Sequence, residues 1–194
     1  MVQSFEISAE AGGYASFTCN MLGKKMVTES AQTVSYTSEN LFRARDCKVY
    51  IEDTEAALTG ATAIELTNVR LSVEKNLFVH QNLGDVDIDS IFNQQFNVTG
   101  DFEAIFDATT YQDLVRNGTK KYMKIELINT DVTMTPSGNP TLSFTLGKVA
   151  FESWSQTSDN NDIVKQTIGF VGAYNNDDGY SIKAQMINEK AVAY

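Results

Sequence analysis

Apolar and polar residues alternate with a period of two along most of this chain, the pattern of strands with one buried face. Val2 to Ser8 places Phe5 and Ile7 on one side. Gly12-Gly13 is a turn signal and Tyr14 to Met21 a second strand, which together predict an opening hairpin. Val27 to Thr37, rich in Thr and Ser, predicts a third strand or an extended arm. Ser38 to Asp46 reads as a loop, Cys47 to Glu52 as a short strand and Asp53 to Gly60 as a loop. Ile64 to Val79 predicts one long strand. Ile64 and Leu66 share one phase, Val69, Leu71, Val73, Leu77 and Val79 the other, and the slip at Thr67-Asn68 predicts a bulge or bend. His80 to Ile91 reads as an Asp-rich loop.

The stretch from Phe96 to Leu127 changes period twice. Phe96, Val98, Gly100, Phe102, Ala104 and Phe106 fall on one face, with Asn97, Thr99, Asp101 and Glu103 on the other. Then Tyr111, Leu114 and Val115 recur at helical spacing. Asp107 and Thr109 offer cap oxygens before them and Gly118 offers a stop after them, which predicts a helix over about residues 108–117. From Lys121 the period of two returns, with Met123, Ile125 and Leu127 inward, and Thr130 to Thr135 is expected to extend that strand. Pro136 to Pro140 predicts a turn, and Leu142, Phe144 and Leu146 a strand followed by Val149 and Phe151. Ser155 to Asp162 predicts a polar loop, Val164 to Tyr174 a strand, NNDDG (Asn175 to Gly179) a hairpin turn and Tyr180 to Ile187 a last strand. The fold class that follows is mainly β: a sandwich or barrel of antiparallel sheets with one short helix packed against it. No repeat and no composition break divides residues 1–194, so a single domain is expected.

Charge narrows the function. Twenty-five acidic residues against fifteen Lys and Arg give a formal charge of −10, which disfavours direct binding to a phosphate backbone. The N-terminus has neither a basic nor an apolar region of the kind that targets a secreted chain, and no apolar run approaches the ~20 residues of a membrane span. Cys19 and Cys47 are the only cysteines and are expected to remain free thiols in a reducing cytoplasm.

Catalytic and metal chemistry find little support. His80 is the single histidine, and no nucleophile elbow, dinucleotide fingerprint or phosphate loop occurs. Asp85, Asp87 and Asp89 reproduce the first half of a calcium loop. Ser90 and Phe96 stand where that loop needs glycine and glutamate, so a solvated acidic loop is the expectation. No catalytic residue, metal or cofactor is assigned. The polar faces of the two longest strands are more informative: Arg70, Ser72, Glu74 and Asn76 on one, Asn97, Thr99, Asp101 and Glu103 on the other. Paired across the loop at 80–91, they would form a sheet with one apolar and one wet, acid-biased face. Such a face is either the outer face of a sandwich or the wall of a water-filled channel.

Four stretches, in this order, resemble the tail tube proteins of long-tailed bacteriophages. They are VQSFEIS with YASFTCNMLGKKM; CKVYIED, a loop, then IELTNVRLSVEKNL; the strand, helix and strand from Phe96 to Leu127 with its Gly118-Thr119 step; and TLSFTLGKVAFES. Gly147-Lys148-Val149 departs from the Pro-Lys-Val common in that family, and longer members carry an additional N-terminal region. A shortened form of the chain would lack arms used in stacking.

The resemblance implies a structural, non-enzymatic virion protein. It would be made in the bacterial host cytoplasm and built into the tail as stacked homohexameric rings whose joined sheets form a negatively charged lumen for DNA. It implies tape measure and tail terminator or tip proteins as partners, strand edges as joining surfaces, and the Val27 to Asp46 region as an arm ordered on assembly. On this reading Ser72, Glu74, Asn97, Thr99, Asp101 and Glu103 line the lumen, while Tyr111, Leu114 and Val115 pack the helix. Two rivals stay open. One is an adhesin or carbohydrate-binding sandwich using Trp154, Tyr174 and Tyr180. The other is the inner tube of a contractile tail or secretion system.

Overall fold

The computed structural model of the protein describes residues 1–25, 28, 41–134, 138–157 and 163–188. The expected arm over Val27 to Thr37 (Thr28 apart), the centre of the Pro136 turn and residues 158–162 lie outside these. The architecture is mainly β with one helix, in a curled antiparallel sheet. Its strands are β1 (Val2–Glu10), β2 (Ser16–Met21), β3 (Cys47–Glu52), β4 (Asn68–Glu74), β5 (Leu77–His80), β6 (Ser90–Asn93), β7 (Asn97–Ile105), β8 (Lys120–Ile128), β9 (Thr141–Thr157), β10 (Lys165–Gly172) and β11 (Ile182–Ile187). The helix α1 covers Thr110–Asn117. The sheet order is β2-β1-β4-β7-β10-β9-β8-β3, with β11 also on β9, while β5 and β6 form a separate hairpin.

β9 makes the curl. Residues 149–157 pair with β10, and residues 141–150 pair with β8, with β11 on the same stretch. One long strand therefore belongs to both halves, and a register irregularity between Gly169 and Phe170 marks the bend. The apolar residues of both halves meet in one core: Ile7, Val69, Leu71, Val98, Phe102, Ile168 and Phe170 from the first, and Val49, Met123, Ile125, Phe144, Leu146, Val149 and Phe151 from the second. Phe102 has no exposed surface, and its ring meets those of Tyr111, Phe151 and Phe170 with centroids 5.4 to 6.4 Å apart. Gly100 stands between Leu71 and Phe170 in the ladder. A Cβ there would collide with the Arg70 carbonyl and the Phe170 ring, so glycine is required for close backbone approach.

Several sequence expectations are corrected. The helix begins at Thr110, not 108. Asp107 does not cap it, and the Thr109 hydroxyl turns to Asp113 Oδ2 at 3.2 Å instead of the helix amides. Gly118 does end it, at φ +61°. The long strand from Ile64 to Val79 is broken. Ile64 bridges Val49, β4 starts at Asn68, and Asn76 at φ +45° separates β4 from β5. The supposed loop after His80 supplies β6. Ser155 to Thr157 belong to β9, and β8 stops at Ile128, where Asn129 is buried and its amide bonds to the Pro140 carbonyl. Phe96, read as a core residue, lies just outside β7 and is 46% exposed.

The core assignment has a direct check. Phe102→Ala is expected to lose about 3–5 kcal/mol in urea unfolding, whereas Phe96→Ala should stay within about 0.5 kcal/mol of the parent. Equal losses would contradict the placement of these two rings.

Candidate functional site

Because side chains alternate across a strand, each strand that gives one residue to the core gives the next to the opposite face. On that face the register aligns polar residues in rows across the sheet. Ser16, Ser8, Arg70, Asp101, Gly169 and Ser153 form one row. Asn20, Ser4, Glu74 and Asn97 form a second; Thr18, Glu6, Ser72 and Thr99 lie between the two. Glu10, Asn68, Glu103, Thr167 and Ser155 complete the far end.

All six residues singled out from the sequence, Ser72, Glu74, Asn97, Thr99, Asp101 and Glu103, therefore share one face of the adjacent strands β4 and β7. Glu74 and Thr99 are exposed, the others half-buried. The sequence reading missed the neighbours that widen this surface: Ser4, Glu6 and Ser8 from β1, and Lys165 from β10. The alternation within Val2 to Ser8 contains that signal, but nothing local says that β1 docks beside β4.

On β1, β4, β7 and β10 the face carries Glu6, Glu10, Glu74, Asp101 and Glu103 against Arg70 and Lys165, a formal charge of −3 over those four strands. The two cations are already engaged, Arg70 with Glu6 at 2.9 Å and Lys165 with Glu103 at 3.1 Å. Asp101 and Glu103, two residues apart, are shifted in opposite directions. Desolvation holds Asp101 above the usual carboxylate range, with Arg70 pulling it down and Glu6 pushing it up. Hydrogen bonds from the Thr67 hydroxyl, 2.7 Å away, and from Lys165 hold Glu103 below it. On the apolar side, Tyr111, Leu114 and Val115 are half-buried and lie against the core, with α1 beside β9.

The remaining candidates are dispersed. Asp87 pairs with Lys25 at 2.9 Å, while Asp89 faces His80 at 3.4 Å, and no cluster able to hold a metal occurs among the described residues. Trp154 is half-buried. Its ring meets Phe106, and its indole N–H donates to Gln166 Oε1 at 3.1 Å, so it is not an open sugar platform. Tyr174 is 58% exposed. Tyr180 is half-buried over Gly147. Both cysteines are free, and burial pushes the Cys47 thiol up to about 11.

The family profile described as "Phage tail tube protein" matches residues 1–172. The chain belongs to the phage tail tube protein family. It is thus a structural component of the virion tail. The tail tube protein is also similar to two solved chains at low identity. A chain of the anti-feeding prophage baseplate shares 15% identity, 84% of this chain, 99% of that chain and a TM-score of 0.51. A chain of the anti-feeding prophage cap, the tube terminating cap, shares 11% identity, 84% of this chain, all of that chain and a TM-score of 0.50. At these identities the likeness shows the fold. No curated protein matches the chain. No helix among the described residues is long and apolar enough to cross a membrane.

The opposite shifts give opposite pH signs. Asp101, raised on folding, favours the folded state below its unfolded pKa, and that contribution is lost as pH rises through the raised value. Glu103, lowered on folding, favours the folded state above its unfolded pKa and loses this as pH falls. Asp101→Asn is therefore expected to stabilise the protein at pH 7 and to do little at about pH 3. Glu103→Gln is expected to destabilise at pH 7 and less so at about pH 3. Urea titrations at the two pH values check both signs.

Proposed function

We propose that the tail tube protein assembles into hexameric rings that stack into a tube, with the polar face of the large sheet as the lumen wall. The observation that carries this reading is a largely polar face, interrupted by Ile105, Val171 and Ala150, whose charged residues on β1, β4, β7 and β10 sum to −3, in a chain of the tail tube family. DNA phosphates passing such a wall are repelled, and with Arg70 and Lys165 already paired to carboxylates the wall offers them little purchase. In this arrangement Ser72, Glu74, Asn97, Thr99, Asp101 and Glu103 face the DNA, while Val98, Phe102 and Ala104 hold the same strand to the core. The wall needs no enzymatic chemistry. The partners are further copies of the chain, with tape measure and terminator or tip proteins at the ends of the tube.

Negative-stain microscopy across a concentration and salt series is expected to show rings or tubes; a monomer under every condition would overturn the proposal. The lumen assignment has its own check. Tubes of the Glu74→Lys, Asp101→Lys, Glu103→Lys variant should retain labelled DNA at low salt and release it as salt rises, while parent tubes exclude it. Equal exclusion by both would overturn the lumen assignment.

A further inference from the structure

β10 and β11 lie end to end along one edge of β9. β10 pairs with β9 from Thr157 back to Val149, and β11 resumes with Ile182 opposite Leu146 and ends with Ile187 opposite Thr141. The other edge of that same stretch is taken by β8. Between β10 and β11 the chain makes an excursion over residues 173–181, closed by the Asn175–Tyr180 bridge with Gly179 at φ +77°. The excursion and β11 lie beyond Gly172, where the family profile ends.

The segment that β11 covers would be a hazard if left open. Thr141 to Leu146 reads TLSFTL, with no charge, no proline and no glycine. Phe144 and Leu146 are buried in the core on one face, and Ser143 and Thr145 are buried on the other. Short uncharged segments of high β propensity pair with their own kind when their backbone edge is free.

Burial does little to hold β11 in place. Of its residues Ile182 alone packs against the core, and those from Lys183 to Ile187 are exposed. Its ladder and a set of contacts at its start hold it instead. Lys183 Nζ pairs with Glu55 Oε1 at 2.6 Å and lies over the Tyr180 ring, 5.3 Å from the centroid. Glu55 follows β3, so this one pair spans β8 and β9. The Tyr180 ring rests on Gly147, where a Cβ would stand 3.2 Å from Tyr180 Cε2 and 3.3 Å from Asn175 Cβ. Asn175 is buried and donates its side-chain amide to the Gly147 carbonyl at 3.0 Å and to the Tyr122 hydroxyl at 2.9 Å. Glycine at 147 thus gives the excursion its seat.

We propose that β11 is a guard strand. It occupies the Thr141–Leu146 edge of β9 and denies that edge to the same segment of a second copy. The Glu55–Lys183 pair is its latch. The inference goes beyond the tube reading and is independent of it, since it concerns an edge that each copy closes for itself.

The test uses the full chain carrying Ala184→Pro and Gln185→Pro together. Alternate residues of a strand direct their N–H to one neighbour, so one of the two prolines removes a ladder bond. Thioflavin T fluorescence of this variant is expected to rise on incubation while that of the parent stays flat. A synthetic peptide of residues 180–188, YSIKAQMIN, should suppress the rise by taking the vacated edge, and a scrambled peptide should not. A flat signal, or a rise that both peptides leave unchanged, overturns the guard. The latch is read separately by hydrogen exchange. In Lys183→Glu the amides of 182–187 should exchange about threefold faster, the scale of one exposed ion pair. The charge-exchanged Glu55→Lys, Lys183→Glu variant should recover the parent rate. Equal exchange in the parent and Lys183→Glu overturns the latch. Rings or tubes seen by microscopy bear on neither readout, so either failure leaves the tube reading standing.

Discussion

The two-residue period of β7 is the constraint on which the rest depends. Val98, Phe102 and Ala104 fill the core from one side of that strand, and Asn97, Thr99, Asp101 and Glu103 lie on the opposite, polar face. A slip of one residue against β4 or β10 would exchange the two sets, placing carboxylates in the core and rings in solvent. Packing at Phe102 therefore fixes the position of each residue on the polar face. Gly100 reinforces this, because only glycine lets the Phe170 ring and the Arg70 carbonyl close in at that point of the ladder. The apolar half of the strand sets the register, and the polar half inherits it.

Strand alternation explains why so much of this fold was legible in the sequence. The β4 and β7 faces, the helix with its Gly118 stop and the Met123, Ile125, Leu127 row follow from local period alone. The failures share a different physics. Phe96 was read inward because the alternation runs through it, but β7 begins one residue later and no element covers that ring. The break at Asn76 depends on a positive φ that its amide supports by bonding to the Gln95 carbonyl at 3.1 Å, a long-range contact invisible in a window of sequence. The polar Ser155 to Thr157 segment reads as a loop, yet it is held as strand by its ladder to Lys165 to Thr167. The widening of the wall by β1 was equally hidden, because docking order across a sheet is a tertiary property.

Like charges gathered on one face oppose folding, and the structure limits that cost in two ways. Arg70 and Lys165 each sit against a carboxylate, and exposed pairs of this kind contribute little individually. They also disperse the acids. Asp101, the more desolvated, is the one whose charge is disfavoured, while Glu103 is held ionised by Thr67 and Lys165. Such a face retains net negative charge without concentrating it.

The same reasoning bears on the edges. β2 carries Phe17 and Met21 largely exposed on its core side, and none of its backbone groups bonds outward to a described residue. In a protein that acts alone this combination invites uncontrolled strand addition.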